Sequence, residues 1–196
     1  MPMIRRPVFL TVIGLLAFAI GPIASAQDEA LIAALGSEGT IGLMRHARAP
    51  GSDDPPEFRL GDCATQRNLS AGGRDQATAI GAFLRERGLT SARIVASQWC
   101  RCQDTAQLLG LGSVEALPSL NSLVSYPGRS AEMTRATREW IREQDLSRPM
   151  ILVTHQINIG ALVRAYPDEG QIVVIRRGDD GALDVIGTID AVAPPR

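Results

Sequence analysis

A chain of 196 residues, 45% of them hydrophobic, is long enough for one ordinary globular domain with a real core and too short for two comfortable ones. Its formal charge of −1 gives no basic footprint for nucleic acid. All 20 cationic residues are arginine, which excludes P-loop and Schiff-base lysines and the enzymes built on them. Any phosphate contact must come from arginine, histidine or backbone N–H.

Residues 1–26 read as a secretory signal peptide. Arg5 and Arg6 form the positive n-region, Val8 to Ile20 the apolar h-region, and Ala24-Ser25-Ala26 a small-residue cleavage site before Gln27. The apolar run falls short of the ~20 residues that a spanning helix needs, so cleavage is expected and a stable membrane anchor is not. The remaining domain, 27–196, keeps 18 arginines against 21 acids, a net charge of about −3, and is expected in a periplasm or outside the cell.

A short helical stretch is expected from Asp28 to Leu35, then a buried strand from Thr40 to Met44. Ala47 to Asn68 is rich in Pro, Gly and Asp and reads as a long loop, and loops of that length in a compact domain are usually functional or disordered. Ser70 is placed to cap a helix running to about Arg87 and ending at Gly88. A strand follows at Arg93–Ser97, a helix from about Arg101 to Leu109, and a third strand at Val114–Leu117. Pro118 to Gly128 is irregular and Ala131 to Gln144 helical. Met150–Thr154 is the strongest strand, with a helix from about Asn158 to Arg164 behind it. Ile172–Arg176 and Leu183–Ile189 form a hairpin around a Gly178–Gly181 turn. This alternation predicts an α/β fold, a three-layer sandwich with a mostly parallel central sheet flanked by helices.

Three cysteines, Cys63, Cys100 and Cys102, leave an odd thiol. Cys100 and Cys102 are too close in sequence to pair readily, so Cys63 is expected to bridge to one of them. With two histidines and no ligand pair at zinc-finger spacing, a metal site is the weaker alternative.

Both histidines follow strands: His46 lies just past the strand ending at Met44, and His155 follows Thr154. Ligands of such sheets bind at the carboxyl ends of the strands, so a joint site is expected. Arg45 precedes the first histidine, and Arg101 falls at the start of the helix after the Arg93–Ser97 strand, where helix N-termini favour anions. Two guanidiniums and two imidazoles around one crevice suit phosphate or another oxyanion.

Leu43-Met44-Arg45-His46-Ala47 resembles the Arg-His-Gly signature of the histidine phosphatase superfamily. Ser97-Gln98-Trp99-Cys100-Arg101 with Asp104-Thr105-Ala106 resembles its Ser-x-x-x-Arg…Thr-Ala segment, and Val153-Thr154-His155 its second-histidine strand end. Asn68-Leu69-Ser70-x-x-Gly73-x-x-Gln76-Ala77 is similar to the family's Leu-Thr-x-x-Gly-x-x-Gln-Ala stretch. The four segments occur in family order across residues 40–160 and resemble the phosphoglycerate-mutase-like branch, whose fold is a mixed sheet flanked by helices.

The resemblance implies covalent catalysis without metal or cofactor. His46 attacks phosphorus, water hydrolyses the phosphohistidine, and Arg45, Arg101 and His155 hold the equatorial oxygens. A small phosphorylated molecule or a phosphoprotein is the expected substrate. The family's glycine after the nucleophile is Ala47 here. The glutamate that members of this branch often carry as general acid is matched by Leu120-Asn121-Ser122, and Gln156 rules out the His-Asp form of the acid phosphatase branch. The proton donor stays open among Asp53, Asp54, Glu57, Asp62 and Glu132.

Other phosphatase and hydrolase signatures fail. Six residues beyond Cys63, Cys100 and Cys102 stand Leu69, Ala106 and Leu108 instead of the arginine of Cys-x5-Arg, and there is no Gly-x-Ser-x-Gly. A weakly active or inactive phosphate-binding module on the same fold is the main alternative, with a mutase ranked below it.

Overall fold

The computed structural model describes residues 26–190, so the expected signal segment, apart from Ala26, lies outside the described residues. The chain alternates helix α1 (Ala26–Leu35), strand β1 (Thr40–Arg45), α2 (Ala71–Glu86), β2 (Arg93–Ala96), α3 (Cys100–Leu109) and β3 (Val114–Ala116). It continues with α4 (Ser130–Glu143), β4 (Met150–Thr154), α5 (Gln156–Val163), β5 (Ile172–Arg177) and β6 (Leu183–Ile189). Element bounds match the sequence reading to within one or two residues.

The six strands form one sheet in the order β3-β2-β4-β1-β5-β6. β1 and β4 are fully buried or nearly so along their lengths and occupy the centre, as expected for apolar runs covered on both faces. On one face α1, α2 and α3 contribute Leu31, Leu35, Leu84, Ala106 and Leu109 to a cluster with Met44, Ile94, Ile151 and Val174. On the other, Ile141 of α4 and Ile159 and Leu162 of α5 pack with Leu43, Val95, Leu152 and Val173. The three-layer α/β sandwich is therefore present.

The expectation of a mostly parallel sheet needs correction, because the sheet is mixed. β3, β2, β4 and β1 are parallel, but β5 pairs antiparallel with β1 and β6 antiparallel with β5. The cause is local. After α5 the chain stays at the carboxyl end of β1, where Gly170 N–H donates to the Arg45 and His46 carbonyls and Arg45 N–H donates to the Gln171 carbonyl. β5 therefore starts beside the end of β1, Ile172 opposite Met44, and has only the reverse direction open to it.

The Ser70…Gly73…Gln76 stretch clamps the loop that leaves β1. The Ser70 hydroxyl accepts from Gly73 N–H, the intended N-cap of α2. Ser70 N–H donates to the Arg48 carbonyl, and Gln76 Oε1 accepts from Arg48 N–H. A β-carbon at Gly73 would lie 2.0 Å from the Arg48 carbonyl oxygen, so only glycine permits this approach.

Candidate active site

β1 and β4 are adjacent and parallel, with Arg45 opposite Thr154. His46 N–H extends that ladder to the Thr154 carbonyl at 3.0 Å, so the two histidines leave the sheet side by side. Their rings stand 5.6 Å apart, edge to face, and both are buried. Arg101 arrives from the first turn of α3 and is buried as well. Arg45, His46, Arg101 and His155 thus share one cleft of about 290 Å³. The four residues expected from the sequence are brought together.

Each imidazole has a defined tautomer. The Ala47 carbonyl can only accept, so at 2.8 Å it fixes the proton of His46 on Nδ1 and leaves Nε2 with a lone pair and no protein hydrogen bond. The peptide supplying that carbonyl is held in turn by Ala47 N–H donating to Thr105 Oγ1 at 3.0 Å. In His155 the Arg101 Nη2 donates to Nδ1 at 3.4 Å, so Nε2 carries the proton and donates to Ser97 Oγ at 3.1 Å. Ser97 passes its own proton to Asn121 Oδ1 at 3.2 Å, and Gln98 N–H donates to the same oxygen.

Both rings are held neutral. Burial foremost, then the positive charge of Arg101, Arg67 and Arg45, lowers His46 to about 3 against the opposing hydrogen bond to Ala47. Burial foremost, then Arg101 and His46, carries His155 well below the ordinary histidine value. A neutral imidazole with a free Nε2 is a nucleophile over the whole physiological range.

Two further residues complete the cleft: Arg67, which the sequence did not single out, and Asp54, which it offered only as one of five candidate proton donors. Arg67 lines it, its Nη1 donating to the Ala49 and Gly51 carbonyls, so it braces the long loop from inside. Asp54 receives Arg101 through both carboxylate oxygens, together with Trp99 Nε1–H at 2.8 Å and Arg67 N–H at 3.0 Å. Burial alone would raise its pKa, but the hydrogen bonds from Arg101, Trp99 and Arg67 outweigh burial and lower it. The Nε–H groups of Arg45, Arg67 and Arg101 are buried and find no acceptor among the described residues. The signal for Arg67 was its place directly before Asn68-Leu69-Ser70; nothing in the sequence marked Asp54 apart from its acidic neighbours.

Of the carboxylates weighed as proton donor, Asp53 and Asp54 line this cleft. Asp62 pairs with Arg59 on the surface, and Glu132 pairs with Arg129 beside a different cleft that contains Asn121. Glu57 is exposed and lies outside the lining. Cys63 is bonded to Cys100, which resolves the expected bridge, and Cys102 is the buried free thiol. The disulfide ties the long loop to the residue before Arg101. Among the described residues no helix is long and apolar enough to cross a membrane.

Fold and cleft together define an α/β protein with an oxyanion-receptive pocket at the carboxyl edge of its central strands. The model of the histidine phosphatase superfamily (branch 1) matches residues 41–145, more than half of the chain, and the chain belongs to that superfamily. No curated relative matches at the level of sequence. Among solved structures, the protein histidine phosphatase SixA complexed with tungstate is 18% identical with a TM-score of 0.51, over 77% of this chain and 96% of that one. The product of an open reading frame of Mycobacterium tuberculosis is 18% identical with a TM-score of 0.57, over 78% and 97% of the two chains. A mycobacterial glucosyl-3-phosphoglycerate phosphatase complexed with VO3 is 17% identical with a TM-score of 0.55, over 74% and 95%. At these identities the likeness is one of fold.

Proposed function

We propose that this chain is an exported phosphomonoester hydrolase that works through a phosphohistidine on His46. The observation that carries the reading is the 2.8 Å hydrogen bond from His46 Nδ1 to the Ala47 carbonyl, which leaves the Nε2 lone pair facing no protein partner among three arginines. In the first step Nε2 bonds to phosphorus while the bond to the leaving group breaks. Arg45, Arg101 and Arg67 supply positive charge and N–H donors to the equatorial oxygens, and neutral His155 holds Arg101 in place by accepting from its Nη2. In the second step water attacks phosphorus, the N–P bond breaks with its electron pair returning to His46 Nε2, and the proton lost by the water passes to solvent. Superfamily membership and the likeness to phosphatases support the reaction class. The pattern of residues 1–26 supports export to a periplasm or beyond.

The test is a covalent intermediate. Incubation with p-nitrophenyl phosphate and a quench in base is expected to leave acid-labile phosphate on His46. Turnover that survives His46→Ala unchanged would sink the phosphatase reading. Phosphate binding with no turnover of any phosphomonoester would favour the binding module instead. Cleavage after Ala26 is checked by N-terminal sequencing of protein recovered outside the cytoplasm.

A further inference from the structure

We infer that the substrate carries its phosphoryl group on an aromatic ring, as an aryl oxygen or an imidazole nitrogen, and that this leaving group departs without a proton from the enzyme. The inference rests on the phosphatase reading of His46 and names its substrate class.

It begins from the cleft's inventory of acids. A donor for a departing alkoxide has to be a protonated group within reach of the leaving oxygen. Asp54 is the buried carboxylate of the cleft, and it is committed to three N–H donors, Arg101, Trp99 and Arg67. It is an anion that orients a guanidinium. Asp53 stands exposed at the rim, where its Oδ2 accepts from Ser52 Oγ at 2.6 Å, so it is held by its own loop and not turned onto the histidines. Glu169 faces the other side of Arg45, accepting from Ala49 N–H in a neighbouring cleft. The remaining ring proton of His155 is donated to Ser97. Asn121 accepts from Ser97 and Gln98 and carries no acidic proton.

Leaving groups divide sharply on this point. An alkoxide is a base comparable to hydroxide, far more basic than a phenolate, and it departs slowly unless protonated. A phenol has a pKa of about 10 and an imidazolium about 6.5. When P–O cleavage releases a phenolate, the electron pair stays on oxygen and bulk water supplies the proton afterwards. When P–N cleavage releases an imidazole whose other nitrogen is already protonated, the pair stays on nitrogen and the product is neutral. Neither step needs an acid from the protein.

The mouth of the cleft fits the same class. Pro55, Pro56 and Phe58 form its loop side, and Val124 and Ile157 line it as well. Val124 is 56% exposed and Ile157 45%, so the mouth offers apolar surface open to a ligand. Phe58 is itself backed by the buried Trp99, ring centroids 5.3 Å apart, so it is a supported surface for stacking. A flat ring behind the phosphoryl group covers this apolar wall; a polyhydroxylated leaving group does not.

The experiment measures kcat/KM for a series of substituted phenyl phosphates and for alkyl phosphates, with the phosphoenzyme on His46 followed in parallel. Peptides bearing phosphotyrosine, phosphohistidine and phosphoserine form the second arm. The expected result is a steep fall of rate with leaving-group pKa. Alkyl phosphate and phosphoserine should be about 10²- to 10⁴-fold slower than the aryl series, the usual size of a missing general acid. The faster of the phosphotyrosine and phosphohistidine peptides identifies the source. Alkyl phosphates within tenfold of aryl phosphates would overturn the inference while leaving the phosphoenzyme intact, as would phosphoserine outrunning both aromatic peptides. Selective loss of alkyl turnover in Asp53→Asn would overturn it too, by revealing the acid. Failure to form phosphoenzyme with any donor would remove the phosphatase reading and this inference together.

Discussion

Asp54 holds Arg101 through both carboxylate oxygens, at 2.8 and 3.1 Å from Nη1, with side chains only 5% and 3% exposed. A buried pair of this kind is a poor source of net stability but is costly to break, because the survivor is left charged in a dry site. Asp54→Asn is therefore expected to destabilise the domain by about 3 kcal/mol, or roughly 6–12 °C in thermal unfolding. A change under 2 °C would show that Arg101 does not depend on this carboxylate.

The two histidines make stability fall on the acid side of neutrality. His46 titrates at about 3 in the folded domain, and His155 also lies well below its ordinary value. In the unfolded chain both protonate near 6.5. Between those values the unfolded state binds more protons, so stability is full above about pH 6.5 and declines as pH falls toward 3. For His46 alone the loss over that window is about 4 kcal/mol. The depressed Asp54 acts in the same direction at lower pH: its contribution is present above its unfolded value and is lost as pH drops through the folded one. Denaturant unfolding at pH 7.5, 6 and 5 is expected to show this decline, and His155→Gln is expected to flatten it. A stability maximum at pH 5 would contradict it.

The histidines were legible because strand-end placement is a consequence of apolar periodicity, and β1 and β4 happen to be neighbours with matching ends. Arg101 was legible because α3 follows β2 without a break in pattern. Arg67 was not, and Asp54 stood out only as one of five candidate acids, not as the partner of Arg101. Their positions are fixed by long-range links, such as Arg67 to the Ala49 and Gly51 carbonyls and Asp54 to Trp99, which leave no period in the sequence. The direction of β5 was hidden for a similar reason. The hairpin signal gave β5 and β6 as a pair, but the edge it joins is decided by the Gly170 and Gln171 contacts to Arg45 and His46.

The Cys63–Cys100 bridge closes a sequence separation of 37 residues, and loop-closure entropy for that length is worth about 4 kcal/mol. Because it ties the loop bearing Asp54 and Arg67 to the first residue of α3, reduction is expected to lower activity as well as thermal stability. Cys102 is fully buried and its thiol is pushed up to about 12, by burial foremost. Thiol titration is therefore expected to find none reactive in the native protein, one after unfolding, and three after unfolding with reductant. Three without reductant would refute the bridge.

Thr105 is hydrogen-bonded to the peptide that follows His46 without lining the cleft. Its hydroxyl accepts from Ala47 N–H and donates to the Arg101 carbonyl at 2.6 Å, joining the peptide that orients His46 to the helix that carries Arg101. Thr105→Val keeps the shape but leaves a buried N–H without an acceptor, at about 1–3 kcal/mol. If the hydroxyl only stabilised the fold, the surviving folded enzyme would keep its kcat. A positioning role instead predicts a fall in kcat of about tenfold with KM little changed, since ring misalignment penalises attack more than binding. Thr105→Ser, which retains the hydroxyl, is expected to restore most of kcat. Equal loss in the serine and valine variants would assign the effect to packing of the threonine methyl, and the hydrogen-bonded relay from Thr105 through Ala47 to His46 Nδ1 would have no part in catalysis.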